Sequence, residues 1–235
     1  MVQRLRKLFA GIALLSIELI IVLVIFVVSL LSLAYLINDI FGLQNTSIDT
    51  NVFSAIRPFV NETNTSIMRF ITFFATGEFL LPANILLALY FLFVAKHRWY
   101  SLRVPVVSLG SFIVMSSLKV YFSRVRPDDP VYKAAMGFSF PSGHAMSAMT
   151  FYGLLIFLVW KNVDNLALRW VLTILLIIFI HLIGFSRIYL RVHYATDVIA
   201  GFSLGLIWLV LSLWVMHKIE TYTRKNIAPE VEAAP

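Results

Sequence analysis

Three short runs in the second half of the chain hold the residue types that phosphate-ester cleavage requires. Lys119 is followed seven positions later by Arg126-Pro127, then comes Pro141-Ser142-Gly143-His144, and last Ser186-Arg187 with His193 and Asp197. Fixed cations neutralise phosphate oxygens, an imidazole held by a carboxylate can attack phosphorus, and a second imidazole can move protons to and from oxygen. All three runs adjoin long apolar stretches, which points to a phosphate carried by a lipid.

Each run has its own local logic. On a continuous helix Lys119 and Arg126 lie about two turns apart on one face, with Pro127 ending the helix and Arg126 left at the rim. A cation as deep as Lys119 costs roughly 2.5–3.5 kcal/mol to insert unless it is paired or lines a cavity. A snorkelling lysine beside a rim arginine is the alternative. The run from Pro141 to His144 is expected to open the fourth helix, with proline in the first turn and free amides forming an anion site. Gly143 lets an oxyanion approach the backbone, with His144 beside it; an ordinary helix start with an interfacial histidine is the alternative. His193 and Asp197, four apart at the expected start of the sixth helix, share one face. A carboxylate that accepts the Nδ1 proton leaves Nε2 with a free lone pair, which makes a nucleophile with its orienter. An interfacial His–Asp pair is the alternative here. Arg187 closes the preceding helix and can hold phosphate oxygens bidentately.

The elements that position these residues are membrane spans. The 235 residues are 60% hydrophobic and 13% charged, with a mean hydropathy of +0.88, whereas a soluble domain carries about a quarter charged residues. Apolar stretches long enough to cross a bilayer fall at roughly 9–37, 70–95, 104–122, 142–160, 168–186 and 195–217. The expected fold is all-α: a polytopic membrane protein of six transmembrane helices, one domain over about 1–225, and a disordered tail over 226–235. Arg4, Arg6 and Lys7 resemble the start of a signal peptide, but the apolar run behind them is too long and no small-residue cleavage site follows, so a retained helix is expected.

With the N-terminus inside, the inner side holds Arg4, Arg6, Lys7, Lys96, Arg98, Arg103, Lys161, Arg169, Lys218, Arg224 and Lys225. The outer side holds Arg57, Arg69, Lys119, Arg124, Arg126, Lys133, Arg187 and Arg191. Setting aside Lys119, Arg126 and Arg187 as chemistry widens the inner excess and gives cytoplasmic termini. The motifs then meet at the outer ends of the third to sixth helices. The net charge of +7 is mostly inner-face charge facing anionic lipid. The basic residues form no stripe, so no nucleic-acid partner is expected. The absence of cysteine excludes disulfides and thiolate metal sites.

The three runs resemble, position for position, the signature of the type 2 phosphatidic acid phosphatase (PAP2) superfamily: Lys-six residues-Arg-Pro, Pro-Ser-Gly-His, and Ser-Arg-five residues-His-three residues-Asp. The resemblance implies a PAP2-type helical bundle and a lipid phosphatase acting on phosphatidic acid, phosphatidylglycerol phosphate or undecaprenyl diphosphate, or on a lipid A phosphate. It implies that His193 is the nucleophile that becomes phosphohistidine, Asp197 its orienter, and His144 the general acid and then base. Lys119, Arg126, Arg187, Ser142 and Gly143 would hold the phosphate oxygens. The family works without metal or cofactor, and no obligate protein partner is evident. The small chain looks like bacterial members, which implies an inner or plasma membrane with the site on the periplasmic or extracellular face. The same signature occurs in soluble vanadium haloperoxidases, which six spans oppose. A non-catalytic phospholipid binder or transporter would need only the cations.

Other polar residues carry less. Glu18 and Glu78 lie in apolar helices, Glu78 near enough to the outer end to line a cavity, and His181 is expected to bond between helices. Arg124, Arg191, Tyr189 and Tyr194 are candidates for headgroup contact. The connection over 38–69 contains Phe53, Ile56, Phe59 and Val60 at the spacing of a short interfacial helix. Asn45, Asn61 and Asn64 open glycosylation sequons.

Overall fold

The computed structural model describes residues 17–132 and 136–226, which contain helices and connections and no strand. In chain order the α-helices are α1 (Ile17–Ile37), α2 (Ser47–Ile56), α3 (Glu62–Phe73), α4 (Gly77–Leu89), α5 (Arg98–Phe122), α6 (Gly143–Asn162), α7 (Leu166–Tyr189) and α8 (Ala195–Asn226). Among the described residues, six helical stretches are long and apolar enough to cross a membrane, α3 and α4 together making the second. The protein is a multi-pass membrane protein. The parts expected at 9–16 and in the tail beyond Asn226 lie outside the described residues, as does Lys133, and so does the side chain of Glu18.

The helix ends follow from local chemistry more than from hydropathy. Asn61 caps α3 by accepting from the Asn64 amide at 2.9 Å, and Asn165 caps α7 by accepting from Leu168 at 2.9 Å. His97 caps α5 through Nδ1, which starts that helix several residues before the expected position 104. The second span likewise begins at Glu62 instead of 70, with a break at 74–76. Helix α8 runs past the expected residue 217 because its polar end consists of adequate helix formers, with Glu220 and Arg224 paired one turn apart at 2.8 Å.

Burial is inverted relative to a soluble protein. Helix α6 is the most enclosed, packed against α5, α7 and α8, while α1, α3–α4, α5 and α7 turn large apolar side chains outward. Lipid solvates those faces, so the centre is held by close backbone approach. A Cβ on Gly201 would stand 2.6 Å from the Ser142 carbonyl oxygen, and one on Gly205 2.9 Å from that of Met146. These two glycines, four apart on α8, let it lie directly on the first turns of α6.

The connection between α1 and α3 holds α2, as its apolar spacing suggests. It docks inward: Ile56 is buried with Tyr189, Leu190 and Val192, while Phe59 stays exposed. The α2 helix therefore forms a cap over the α7–α8 turn.

Because the Gly201 contact is with backbone, Gly201→Ala should lower thermal stability by about 1–3 kcal/mol. Gly153→Ala meets only the tip of Leu209 and should cost far less. Equal unfolding temperatures for the two variants in detergent would contradict the tight α6–α8 contact.

Candidate active site

The three motif runs meet at one end of the bundle, where α5 and α7 end and α6 and α8 begin. Helix α5 stops at Phe122, and Ser123 adopts a left-handed conformation with φ of 48° while its amide bonds the Lys119 carbonyl at 3.0 Å. Lys119 and Arg126 therefore do not share a helix face, as the seven-residue spacing suggested. The turn at Ser123 folds the Arg124–Pro127 strand of chain back over the bundle end, and Arg126 reaches the site from outside. Its Nη1 donates to the Val192 carbonyl at 2.7 Å and lies 3.2 Å from Nε2 of His193, while Nε and Nη2 hold the carbonyls of Gly137 and Met136. Lys119 donates to the Phe138 carbonyl at 2.7 Å.

Pro141 also departs from its expected place. It precedes the cap of α6 instead of lying in the first turn: Ser142 is the N-cap, and Gly143 is the first helical residue. A Cβ on Gly143 would lie 3.9 Å from Cε of Lys119, so the α6 amides and the lysine border the same space. Arg187, His193, Arg126 and Lys119 are the cationic and imidazole groups that surround His144. Arg187 is buried; its Nη1 donates to Thr72 at 2.8 Å, and its Nε has no partner among the described residues. That leaves a buried donor available to an anion.

His193 precedes α8, which begins at Ala195, so the His193–Asp197 pair does not rest on helical spacing alone. Asp197 reaches back instead, accepting from the Tyr194 amide at 2.9 Å in the manner of a capping box. Nδ1 of His193 is 3.6 Å from Asp197 Oδ2, beyond hydrogen-bond range, and the Ser139 hydroxyl bridges the gap. Ser139 Oγ lies 3.3 Å from Nδ1 and donates to Asp197 Oδ2 at 2.5 Å. A guanidinium can only donate, so its contact makes Nε2 the acceptor and places the ring proton on Nδ1. The tautomer thus exposes the Nε2 lone pair towards the cations.

Burial and the neighbouring cations keep that nitrogen unprotonated. Burial pushes the His193 pKa down to about 4, helped by Arg126 and Arg187 and opposed by Asp197. A lowered value leaves the ring neutral throughout the range above about pH 4. Burial lowers that of Arg126 as well, with Asp197 working against it.

Asp49, Thr196 and Ser139 escaped sequence reasoning, and Arg124 was named for a different role. Arg124 donates to Asp197 Oδ1 at 2.6 Å and to Asp49 Oδ2 at 2.8 Å, with its guanidinium 4.1 Å above the Tyr194 ring. Burial disfavours the charge on Arg124, but Asp197 and Asp49 outweigh it and raise the pKa. Asp49 also accepts from the amide and hydroxyl of Thr196 at 3.0 Å. The available signal was Asp49 itself, an acid on the same α2 face as Val52, Phe53 and Ile56. Arg124 and Tyr194 are therefore internal supports, not headgroup contacts. Tyr189 is likewise buried, its hydroxyl tied to Asn61 and Thr65, and Arg191 pairs with Asp129 at 2.6 Å. His181 bonds the Ile177 carbonyl of its own helix at 2.8 Å instead of a neighbour, and Glu78 is exposed in the first turn of α4.

A family model described as the PAP2 superfamily matches residues 100–220. Phosphatidylglycerophosphatase B of Bacillus subtilis (strain 168) is 33% identical over 170 residues, covering 72% of this chain and 81% of that protein. Lipid phosphate phosphatase delta of Arabidopsis thaliana is 26% identical over 98 residues, 40% of this chain and 24% of that one. The crystal structure of a transmembrane PAP2-type phosphatidylglycerolphosphate phosphatase from Bacillus subtilis superposes with a TM-score of 0.72 at 29% identity, covering 84% of this chain and 96% of that one. LpxE of Aquifex aeolicus shares the fold, with a TM-score of 0.56 at 22% identity over 71% of this chain and 94% of its own. The family match spans just over half of the sequence and contains every motif residue from Lys119 to Asp197, so the chain belongs to the PAP2 superfamily and is a multi-pass membrane phosphatase.

Proposed function

We propose that the protein hydrolyses the terminal phosphate of a membrane lipid through a phosphohistidine on His193. The observation that carries this reading is the orientation of His193: Nδ1 faces the Ser139–Asp197 pair, and Nε2 faces Arg126. An arriving phosphate takes the Arg126 donors onto its oxygens and releases Nε2 towards phosphorus. Lys119, Arg187, Ser142 and the Gly143 amide hold the remaining oxygens, with the free Nε of Arg187 as one donor. As the Nε2–P bond forms, the P–O bond to the lipid breaks, and His144 gives its proton to the leaving oxygen. His144 then takes a proton from water, whose oxygen attacks phosphorus; the P–N bond breaks and inorganic phosphate leaves. Proton transfer by His144 supplies roughly 10²–10⁴-fold, and the preorganised cations stabilise the charge that develops on phosphorus oxygens.

Phosphatidylglycerol phosphate ranks first among substrates because the Bacillus subtilis phosphatase, matched in both sequence and structure, carries that activity in its name; phosphatidic acid, undecaprenyl diphosphate and lipid A phosphates follow. A lipid is favoured over a soluble ester by the rim of the site. Met136, whose carbonyl holds Arg126 at 3.1 Å, is 92% exposed, an apolar margin suited to acyl chains. The site is read as facing the periplasmic or extracellular side, with both termini cytoplasmic, since Arg98, Arg103, Lys161, Arg169, Lys218, Arg224 and Lys225 gather at the other end.

His193→Ala should reduce phosphate release from phosphatidylglycerol phosphate in detergent to background; release at the wild-type rate would remove His193 from the mechanism. Ser139→Ala should lower kcat about tenfold with KM nearly unchanged, the effect of one lost hydrogen bond to the nucleophile's support. A wild-type kcat would show that Asp197 holds the ring unaided. The chain lacks cysteine, so single cysteines report sidedness cleanly. Asp128→Cys should react with an impermeant maleimide on intact cells and Asp164→Cys only after permeabilisation; the reverse pattern would invert the orientation.

A further inference from the structure

At the end of the bundle remote from the motifs, α5, α6 and α8 surround a cavity of about 350 Å³ lined by Arg103, Lys161, His97 and His217. Glu220 is the single carboxylate among its lining residues, and it is already shared, accepting from Arg103 at 2.6 Å and from Arg224 at 2.8 Å. The remaining charge is positive.

Arg103 is the centre of this cluster. Its side chain is only 6% exposed, and its guanidinium lies 5.0 Å from the Tyr100 ring and 5.5 Å from that of Phe157. A single nitrogen, Nη2, meets Glu220, and Nε is buried without a partner among the described residues. Buried guanidinium N–H groups without acceptors are rare, and a guanidinium fork matches a phosphate group. His97 adds a donor: its Nδ1 accepts from the Tyr100 amide at 3.2 Å, which leaves the proton of the neutral ring on Nε2. The His97 ring is fixed by stacking on Tyr100 at 3.7 Å between centroids.

The depth of the cavity points to the source of the phosphate. Trp170 and Trp214 turn outward at this end, with Trp160 packed against Trp170 and the Lys218 ammonium over Trp214. Exposed tryptophans of this kind mark the headgroup level of a bilayer, and basic pockets between helices at that level receive anionic headgroups.

We propose that this cavity is a second, non-catalytic site that binds the phosphate of an anionic phospholipid in the leaflet opposite the catalytic end. Arg103 supplies the bidentate donor, and Lys161, His97 and His217 complete the ring of donors at the mouth. The glycerol portion lies against Tyr100 and Phe157. This site is separate from the catalytic residues and does not depend on the substrate proposed for them.

Native mass spectrometry of the purified full chain in mild detergent tests it, with phosphatidylglycerol and phosphatidylcholine as probes. Lys161 and His217 are exposed, so the double variant Lys161→Gln, His217→Gln should fold, as its unfolding temperature will report. Wild type and His193→Ala should retain phosphatidylglycerol in preference to phosphatidylcholine, and the double variant should retain about tenfold less. A folded double variant that keeps as much phosphatidylglycerol as wild type overturns the site. Millimolar inorganic phosphate should leave the bound lipid in place; its complete displacement would overturn the lipid source and assign the cavity to free phosphate.

Discussion

The carboxylate of Asp197 is the interaction on which the candidate active site depends. It is fully buried, and alone it would be too costly to ionise there. Arg124 neutralises one oxygen, while the Ser139 hydroxyl and the Tyr194 amide satisfy the other. Its own backbone carbonyl accepts from the Ser142 amide at 3.0 Å. One residue thereby joins the chain after α5, the cap of α6 and the start of α8. The motif runs are distant in sequence, but they share this anchor, which explains why their residues face one space. Asp49 extends the arrangement to α2, so the helix that caps the α7–α8 turn is bonded to the same arginine.

This network sits in a bundle that has little hydrophobic drive to hold it together. Outward apolar side chains gain nothing by leaving lipid, so packing of small residues and buried polar bonds must define the geometry. Gly201 illustrates the link between fold and site. It lies four residues after Asp197 and lets α8 touch the Ser142 carbonyl, the first acceptor of α6. The contact that seats the two central helices is therefore also the one that sets the cap of α6 beside the Asp197 carboxylate.

Much of this was legible in the sequence, for physical reasons. Span-length apolar stretches report the six crossings because hydrocarbon demands continuous helix, and Lys119, Arg126, His144, Arg187, His193 and Asp197 stand out because charged groups and imidazoles are rare in such surroundings. Local geometry was less legible. The Lys119–Arg126 spacing suggested one helix face, but the left-handed Ser123 ends α5 first. The four-residue spacing of His193 and Asp197 suggested a helical pair, but a turn and a serine bridge join them. Arg124 was indistinguishable from a headgroup-binding arginine, since its partners Asp49 and Asp197 are brought together only by the fold. Ser139 gave no pattern at all, because one hydroxyl has no periodicity.

The most direct measurement is chemical trapping of the covalent enzyme. The full chain would be mixed for milliseconds with phosphatidylglycerol phosphate labelled in its terminal phosphate, quenched in alkali and mapped by peptide mass spectrometry. An alkali-stable, acid-labile phosphoryl group on the peptide containing His193 is the expected result. A label on any other residue, or turnover with no phosphoenzyme while His193→Ala still releases phosphate, would contradict it.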